Sequence, residues 1–309
     1  MNGMVNISCI LCGSSKLQLL NKIVAHYQEK TYSLMKCSIC GMIQIFPRPE
    51  KIYLDSFYDE YFDADPSFSA ANQFKKMNTF DDVLSFIKAL YPKSCTLLDL
   101  GCGNGASLEI AQKKYGLDVF GVDKGASACE VCAKKGIKTY CGELDDARFP
   151  DNNFDVVVTF HVIEHVLKPR QLLVEVNRIL KKGGLFVVKT PNVDSKLARL
   201  TGPFWGFMNP PFHINYFTPR TLRIFLEDTG FSVENITTRF NPEYSFNFFI
   251  EFLFSLYRRI IQSEGAKRYG RNSLGRGFLD QLVKFPQRQI LSIPTFIDND
   301  YEIVGFARK

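Results

Sequence analysis

The stretch "TLLDLGCGNGASLEIA", residues 96–111, decides the fold of this chain. It begins with a short apolar run typical of a buried strand and ends in a pattern typical of the first turns of a helix. Between them, Gly101, Gly103 and Gly105 let the backbone turn tightly and pass close to a ligand. A strand, a glycine turn and a helix in this order favour an α/β fold that binds a ligand at the end of the strand.

Two carboxylates accompany the glycine turn and indicate what it binds. Asp123 follows the next apolar run, 22 residues after Gly101, where a carboxylate can bridge ribose hydroxyls, so a nucleoside ligand is expected. Gly101, Gly103 and Ala106 also satisfy the looser dinucleotide pattern. Asp99 argues against a dinucleotide, because a carboxylate there would repel a pyrophosphate but would hold a sulfonium-bearing amino acid with its ammonium group.

Apolar runs alternate with helical patterns after residue 96, which predicts a parallel sheet. Four runs are predicted as buried strands: Leu97–Leu100, Val119–Val122, Phe154–Thr159 and Leu185–Lys189. Helical spacing over residues 172–180 predicts a helix ended by Gly183 and Gly184. Thr218 and Pro219 predict the start of a helix that runs to about Asp228. Two late strands are predicted in "FSVENITTRF" and "YEIVGFAR".

The first 48 residues contain two matching CxxCG turns. Each places two thiolates on one side of a tetrahedral zinc ion, and the glycine permits the tight turn behind them. The four candidate ligands are Cys9, Cys12, Cys37 and Cys40. Four thiolates close the coordination shell, so the predicted Zn²⁺ is structural. The chain has nine cysteines in total, and we expect reduced thiols, with Cys129 and Cys132 packed on a helix.

The glycine turn, Asp123 and the stretches "FDVVVTFHVIEHVLKP" and "RILKKGGLFVVKTPN" together resemble class I S-adenosylmethionine-dependent methyltransferases of the methyltransferase-23 type, over about residues 80–309. The resemblance implies an α/β, Rossmann-like fold with a seven-stranded, mostly parallel sheet, here preceded by a small zinc-ribbon module. It implies S-adenosylmethionine as cofactor, with the following contacts: Asp99, Gly101, Gly103 and Gly105 around the methionine part, Asp123 on the ribose, Glu143 and Leu144 beside adenine, and His161 at the floor of the site.

The predicted organisation has three parts. Residues 1–48 form the zinc-binding module, residues 49–93 an aromatic linker with covering helices, and residues 94–309 the methyltransferase domain with a helical insertion at 241–298. This order resembles sugar C-methyltransferases that act on nucleotide-linked deoxysugars, although the C-terminal region is shorter than theirs. The insertion contains "YSFNFFIEFLFSLYRRI", for which a membrane-surface contact with a lipid-linked acceptor is one interpretation and a buried helix or dimer contact the favoured one.

Candidate catalytic residues come from the same resemblance. Sugar C-methyltransferases carry a His-x-x-Tyr-Phe-Ser/Thr stretch after the fifth strand that contributes a base and a neighbouring tyrosine. His213 and Tyr216 match that stretch, so His213 is the predicted base, Tyr216 its orienting partner and His161 a second candidate base. The alternative for His213 is that it caps the helix after Thr218.

"NPPF", residues 209–212, also spells the motif of amino-methyltransferases. Those enzymes need the motif directly after the fourth strand, whereas here it follows the fifth. We therefore interpret the match as coincidental. Residues 160–165 occupy the position after the fourth strand. There, Glu164 and His165 are predicted to pack and to cap the following helix.

Composition limits the partners only weakly. The formal net charge of +6 is spread along the chain, and the cysteine module lacks an arginine and aromatic platform, which argues against nucleic acid. We therefore predict oxygen or carbon methylation of a small molecule, such as a sugar nucleotide or a polysaccharide or natural-product precursor. The alternatives are a ribosomal RNA base methyltransferase whose zinc module grips RNA, and a cofactor-binding scaffold without turnover. No apolar stretch reaches about 18 residues, so a cytoplasmic protein is expected.

Overall fold

The computed structural model describes residues 7–24, 30–55, 80–239 and 301–309. The N-terminal part has three strands, and residues 51–55 (α1) and 80–90 (α2) are helical. The three strands are β1 (Leu17–Val24), β2 (Thr31–Cys37) and β3 (Ile43–Phe46). The predicted insertion at 241–298 lies outside the described residues.

Strands and helices then alternate. The elements up to the fourth strand of this part are β4 (Thr96–Leu100), α3 (Ala106–Lys113), β5 (Asp118–Asp123), α4 (Ala126–Lys134), β6 (Lys138–Cys141) and β7 (Phe154–Phe160). They are followed by α5 (Pro169–Ile179), β8 (Leu180–Pro191), α6 (Lys196–Thr201), β9 (Asn215–Tyr216), α7 (Pro219–Glu227), β10 (Ser232–Arg239) and β11 (Glu302–Arg308).

The main sheet has seven strands in the order β10-β11-β8-β7-β4-β5-β6. Strands β4 to β8 run parallel, whereas β11 pairs antiparallel with both β8 and β10. The core strands are covered on both faces; Val156, Val157 and Val158 of β7 are all fully buried. This arrangement confirms the predicted Rossmann-like α/β fold with a mostly parallel sheet.

The helix predicted after the fifth strand forms as expected. Thr218 is its N-cap, and the Thr218 hydroxyl accepts a hydrogen bond from the Thr221 backbone N–H, while the Thr221 hydroxyl accepts one from the Thr218 N–H. Pro219 occupies the first turn, where its missing N–H has no cost. His213 does not cap this helix.

The predicted role of Gly183 and Gly184 as helix stops is wrong. Helix α5 ends at Ile179, and β8 begins at the next residue. The β7–β8 register passes from Phe154 opposite Leu180 to Val156 opposite Leu185, so residues 181–184 form a bulge. Gly183, with φ of 72°, supplies the left-handed residue of that bulge.

A second sheet joins the cysteine module to the main domain. Its order is β1-β2-β3-β9, so the strand Asn215–Tyr216 from the loop after β8 completes a sheet begun by N-terminal residues. Arg48 strengthens this junction, because its guanidinium donates to the Asn215 side chain and to the carbonyls of Ile214, Val166 and Leu167. Burial lowers the pKa of Arg48 to about 10. The module is therefore anchored to the loop that carries His213.

Among the described helices, none is long and apolar enough to cross a membrane.

Candidate active site

Two loops meet where β4 and β7 end. These strands are parallel neighbours, so their carboxyl ends lie side by side. The glycine loop follows β4, and residues 161–168 follow β7. A Cβ atom added to Gly101 would lie only 2.3 Å from Val162 Cγ2, so the two loops are in direct contact. The predicted cofactor loop and the predicted acceptor residues thus share one edge of the sheet.

The carboxylates predicted to hold the cofactor line the glycine loop. Asp99 is buried, with 3% of its surface exposed, and accepts a 2.8 Å hydrogen bond from the Ser107 hydroxyl. Asp123 accepts hydrogen bonds from the backbone N–H groups of Gly103, at 2.7 Å, and Gly125, at 2.9 Å. These bonds orient the Asp123 carboxylate and leave each oxygen with further lone pairs for ligand hydroxyls.

The predicted adenine contacts lie one strand further along the sheet. Leu144 is buried, and Glu143 forms ion pairs of 3.0 Å with Lys51 and 2.8 Å with Lys124. Burial would raise the pKa of Glu143, but the two lysines outweigh it and lower that pKa. Lys51 belongs to α1, so this helix is tied to the segment that follows β6. The sequence analysis gave no role to Lys51.

His161 is held between two carboxylates. Its Nδ1 lies 3.3 Å from Glu164 Oε1 and its Nε2 lies 3.0 Å from Glu302 Oε1. Burial opposes protonation of the ring, yet these two carboxylates raise the pKa of His161 above its ordinary value. The backbone of His161 has a positive φ of 58°, which is uncommon outside glycine. Both ring nitrogens thus lie close to carboxylate oxygens, and the contact of Nε2 with Glu302 is a hydrogen bond.

A buried ion pair behind His161 was missed from the sequence. Glu302 of β11 and Lys189 of β8 lie 2.7 Å apart, with side-chain exposures of 1% and 5%. Burial would raise the pKa of Glu302, but His161 and Lys189 lower it. The sequence does contain a signal for this pair, because Lys189 and Glu302 each stand inside an apolar run, "LFVVKTP" and "YEIVGFAR". A charged side chain that is buried in such a run must be paired.

Glu164 does not cap the helix that follows, because the N-cap residue of α5 is Lys168. Glu164 is instead buried, with 1% of its surface exposed, and its Oε2 accepts a 3.0 Å hydrogen bond from the Thr190 hydroxyl. Burial would raise the pKa of Glu164, but contact with His161 and the nearby histidines lowers it to about 2. The predicted cap is thus a buried carboxylate at the candidate site.

His213 lies beside these residues, although it comes from the loop after β8. Its ring packs edge-on against His165, with centroids 4.7 Å apart, and parallel to Phe207 at 5.6 Å. Burial lowers the pKa of His213 to about 3, with His165 acting in the same direction, so the imidazole is neutral at physiological pH. The Tyr216 hydroxyl donates a 2.9 Å hydrogen bond to the His213 carbonyl, and burial raises the pKa of Tyr216.

Aromatic rings form one wall of the histidine cluster. Phe207 contacts His213, Trp205 and Tyr301, with ring centroids 5.6, 5.4 and 5.2 Å apart. These rings supply an apolar surface next to the polar groups, a composition typical of small-molecule pockets. Asn209 of "NPPF" is exposed, and its backbone carbonyl accepts hydrogen bonds from the N–H groups of Phe212 and His213.

The four N-terminal cysteines converge as their spacing predicts. Their sulfur atoms lie within 4.8 Å of one another, with Cys9 and Cys40 3.5 Å apart and Cys12 and Cys37 3.6 Å apart. Tetrahedral Zn–S bonds of about 2.3 Å would separate the sulfurs by roughly 3.8 Å. Gly13 and Gly41 follow the paired cysteines with φ of 70° and 86°.

The family follows from these features together with sequence comparison. The model of a methyltransferase domain family, Methyltransf_23, matches residues 64–236, more than half of the chain. The chain therefore belongs to this family and has the Rossmann-like fold of class I S-adenosylmethionine-dependent methyltransferases. The buried Asp99 and the oriented Asp123, both beside the glycine turn, fit the amino-acid and ribose parts of that cofactor.

Two curated relatives show the extent of the match. A probable S-adenosylmethionine-dependent methyltransferase of Mycolicibacterium smegmatis is 33% identical over 144 residues, 45% of this chain and 52% of the relative. A ubiquinone biosynthesis O-methyltransferase of Maricaulis maris is 32% identical over 165 residues, 47% of this chain and 63% of the relative. The chain thus spans between half and two thirds of the length of each.

Among solved structures, a SAM-dependent methyltransferase from Archaeoglobus fulgidus superposes with a TM-score of 0.48 and 21% identity. The superposition covers 74% of this chain and 94% of that chain.

Proposed function

We propose that this protein transfers a methyl group from S-adenosylmethionine to oxygen or carbon of a small molecule, with a sugar nucleotide or a related polysaccharide or natural-product precursor as the acceptor class. The observation that carries the proposal is the contact between the glycine loop and the loop after β7. It brings the sheet edge to which we assign the nucleoside against a cluster of histidine, carboxylate and aromatic side chains.

On the cofactor side, we assign the methionine part to Asp99 and to the turn formed by Gly101, Gly103 and Gly105. Asp99 would attract the ammonium group, and the glycines permit close backbone approach. Asp123 would accept hydrogen bonds from the ribose hydroxyls, supported by the two backbone N–H groups that fix its carboxylate. Residues Glu143 and Leu144 would border the adenine.

On the acceptor side, we assign the cluster of His161, Glu164, His165 and His213, with the aromatic wall of Phe207 beside it. Methyl transfer forms a bond from the acceptor atom to the methyl carbon and breaks the S–C bond, whose electron pair returns to sulfur. The sulfonium already activates the methyl group, so the protein has to align the two reactants, exclude water and accommodate the acceptor proton.

His213 is the acceptor-side residue whose loss should cost most. It keeps an uncharged imidazole in the cluster, and Tyr216 orients its backbone. That His213 itself removes the proton stays a prediction from the sequence. His161 is less available for that task, because both of its ring nitrogens lie against carboxylates.

In the N-terminal module, we propose a structural Zn²⁺ bound by Cys9, Cys12, Cys37 and Cys40. The near-tetrahedral spacing of the sulfurs supports it, and four thiolates leave no coordination position for a substrate. We also retain the three-part organisation with divisions near residues 48 and 94. The zinc would stabilise the sheet that β9 completes, and through it the loop that carries His213.

Isotope-labelled methyl transfer tests the function. Purified protein with labelled S-adenosylmethionine should label members of a sugar-nucleotide panel, and His213→Ala should lower the rate by about 10² to 10⁴, the usual contribution of proton-transfer groups. Asn209→Ala is the matched control on the same loop and should keep the wild-type rate. Full activity in His213→Ala would reject the acceptor-side assignment. Loss of activity in Asn209→Ala alone would also reject it and would favour the amino-methyltransferase interpretation.

A further inference from the structure

Three side chains from two loops bring metal-binding atoms together at the acceptor side. One carboxylate oxygen of Glu164 and one ring nitrogen each of His165 and His213 lie within 4.8 Å of one another. Glu164 and His165 follow β7, whereas His213 follows β8. Two imidazoles and one carboxylate are the ligand set of catalytic zinc sites and of several other first-row transition-metal sites, which keep coordination positions open.

His165 is oriented as a metal ligand. Its Nδ1 lies 2.9 Å from the Phe212 carbonyl oxygen, which can only accept a hydrogen bond, so Nδ1 carries the proton. The lone pair is therefore on Nε2, which lies 4.0 Å from Glu164 Oε1. A backbone carbonyl that fixes the tautomer of a histidine in this way is typical of metal-binding imidazoles.

Glu164 presents an unsatisfied oxygen to the same point. Its Oε2 accepts the Thr190 hydroxyl, but its buried Oε1 has no hydrogen bond of acceptable geometry among the described residues, although His161 Nδ1 lies 3.3 Å away. A buried carboxylate oxygen without a full set of partners is costly, and a cation would satisfy it.

His213 completes the set from the opposite loop. The loop is fixed by the Tyr216 hydroxyl on the His213 carbonyl and by the pairing of β9 with β3. The ring of His213 also packs directly against that of His165, so little rearrangement separates the two candidate ligands.

The geometry points to a divalent transition-metal site formed by Glu164, His165 and His213, with open positions for an oxygen atom of the methyl acceptor. Bonds of about 2.1 Å place the ligand atoms of a tetrahedral site roughly 3.4 Å apart, so binding requires these atoms, now within 4.8 Å of one another, to approach by up to about 1.4 Å. The ligand set is distinct from the four-cysteine cluster, which has only sulfur donors.

The catalytic part of this inference rests on the proposed function. A hydroxyl bound to the cation would lose its proton to solvent more readily, since the metal lowers its pKa. The resulting oxygen anion then takes the methyl group while the S–C bond breaks toward sulfur, without any change of oxidation state. The acceptor is thereby expected to react through oxygen. With the metal bound, His213 would serve as a ligand, and this role would replace its predicted role as the base.

Cobalt titration tests the site independently of turnover. The zinc-loaded full chain is dialysed against a chelator and titrated with Co²⁺ while visible absorption and stoichiometry are measured. We expect one additional Co²⁺ per chain, without the intense charge-transfer bands of thiolate ligands. Glu164→Gln and His165→Asn should weaken binding at least about 10-fold, whereas Glu227→Gln, on an exposed ion pair of α7, should bind like the wild type.

Absence of saturable Co²⁺ binding, or equal affinity in Glu164→Gln and Glu227→Gln, would overturn the metal site. Labelled methyl transfer provides the second readout and should fall at least about 10-fold after chelation and recover with added divalent metal. Transfer that is unaffected by chelation would overturn the catalytic role of the metal. If no acceptor is methylated but Co²⁺ binds as described, the proposed function fails while the metal site stands.

Discussion

Gly101→Ala is expected to abolish detectable S-adenosylmethionine binding and to destabilise the fold. The added Cβ would lie 2.3 Å from Val162 Cγ2, and the φ of 73° at this position disfavours any side chain. The left-handed conformation costs about 1–2 kcal/mol, and overpacking adds roughly 1–3 kcal/mol. Because the steric conflict lies between the two loops of the site, their relative position should change. Urea unfolding and equilibrium dialysis of labelled cofactor measure the two effects.

Two other glycines separate conformational cost from cofactor contact. Gly116 has a φ of 64° and Gly103 a φ of 55°, and a Cβ at either would meet nothing within 4 Å. Both alanine variants should therefore lose a similar stability, about 1 kcal/mol. Only Gly103→Ala should also weaken cofactor binding, because Gly116 lies away from the loop. Equal affinities in these two variants would contradict the assignment of the glycine turn to the cofactor.

Cys12→Ser should remove the bound zinc and unfold the N-terminal module. Cys12 is exposed, so the substitution changes little packing, whereas Cys9, Cys37 and Cys40 are buried. Structural zinc contributes about 10–16 kcal/mol of apparent binding free energy in small zinc domains, so loss of one ligand should lower the melting temperature of the module strongly. Zinc content, measured by mass spectrometry after chelator dialysis, should fall below one equivalent per chain.

The same variant should affect turnover more than cofactor binding. Ile43 and Gln44 of β3 pair with the strand next to His213, and Arg48 donates to Asn215. Loss of the module sheet therefore releases the acceptor loop, whereas the glycine loop keeps its own contacts. Cys141→Ser, at another exposed cysteine, is the control and should retain zinc and activity. A zinc content in Cys12→Ser equal to that of the control would exclude the four-cysteine site.

Much of the main sheet follows from local pattern. The apolar runs predicted as strands all form strands, since continuous apolar runs bounded by glycine or polar residues suit a sheet covered on both faces. The bulge at residues 181–184 was missed, because two glycines near a helix end also match a helix stop. The position of the bulge depends on how β8 pairs with β7, and local sequence patterns do not determine that pairing.

The acceptor side was less predictable, since its contacts join distant parts of the chain. His161 was identified as a candidate, but Glu302, 141 residues later, is its partner through a strand pairing that sequence alone does not reveal. Similarly, Arg48 reaches Asn215 across 167 residues. Glu164 was interpreted as a local cap, although burial and the approach of the His213 loop give it a different environment.

The most direct test of the central claim is equilibrium dialysis of labelled S-adenosylmethionine against the wild type, Asp123→Asn and Asp118→Asn. Asp123 is fixed beside the glycine loop by two backbone N–H groups, whereas Asp118 is exposed at the opposite end of β5. We expect saturable binding of one cofactor per chain in the wild type and Asp118→Asn, and at least about 10-fold weaker binding in Asp123→Asn, since removal of a charged hydrogen-bond acceptor costs about 1.5–3 kcal/mol. No saturable binding in the wild type, or equal affinity in the two variants, would contradict a cofactor site built on Asp123.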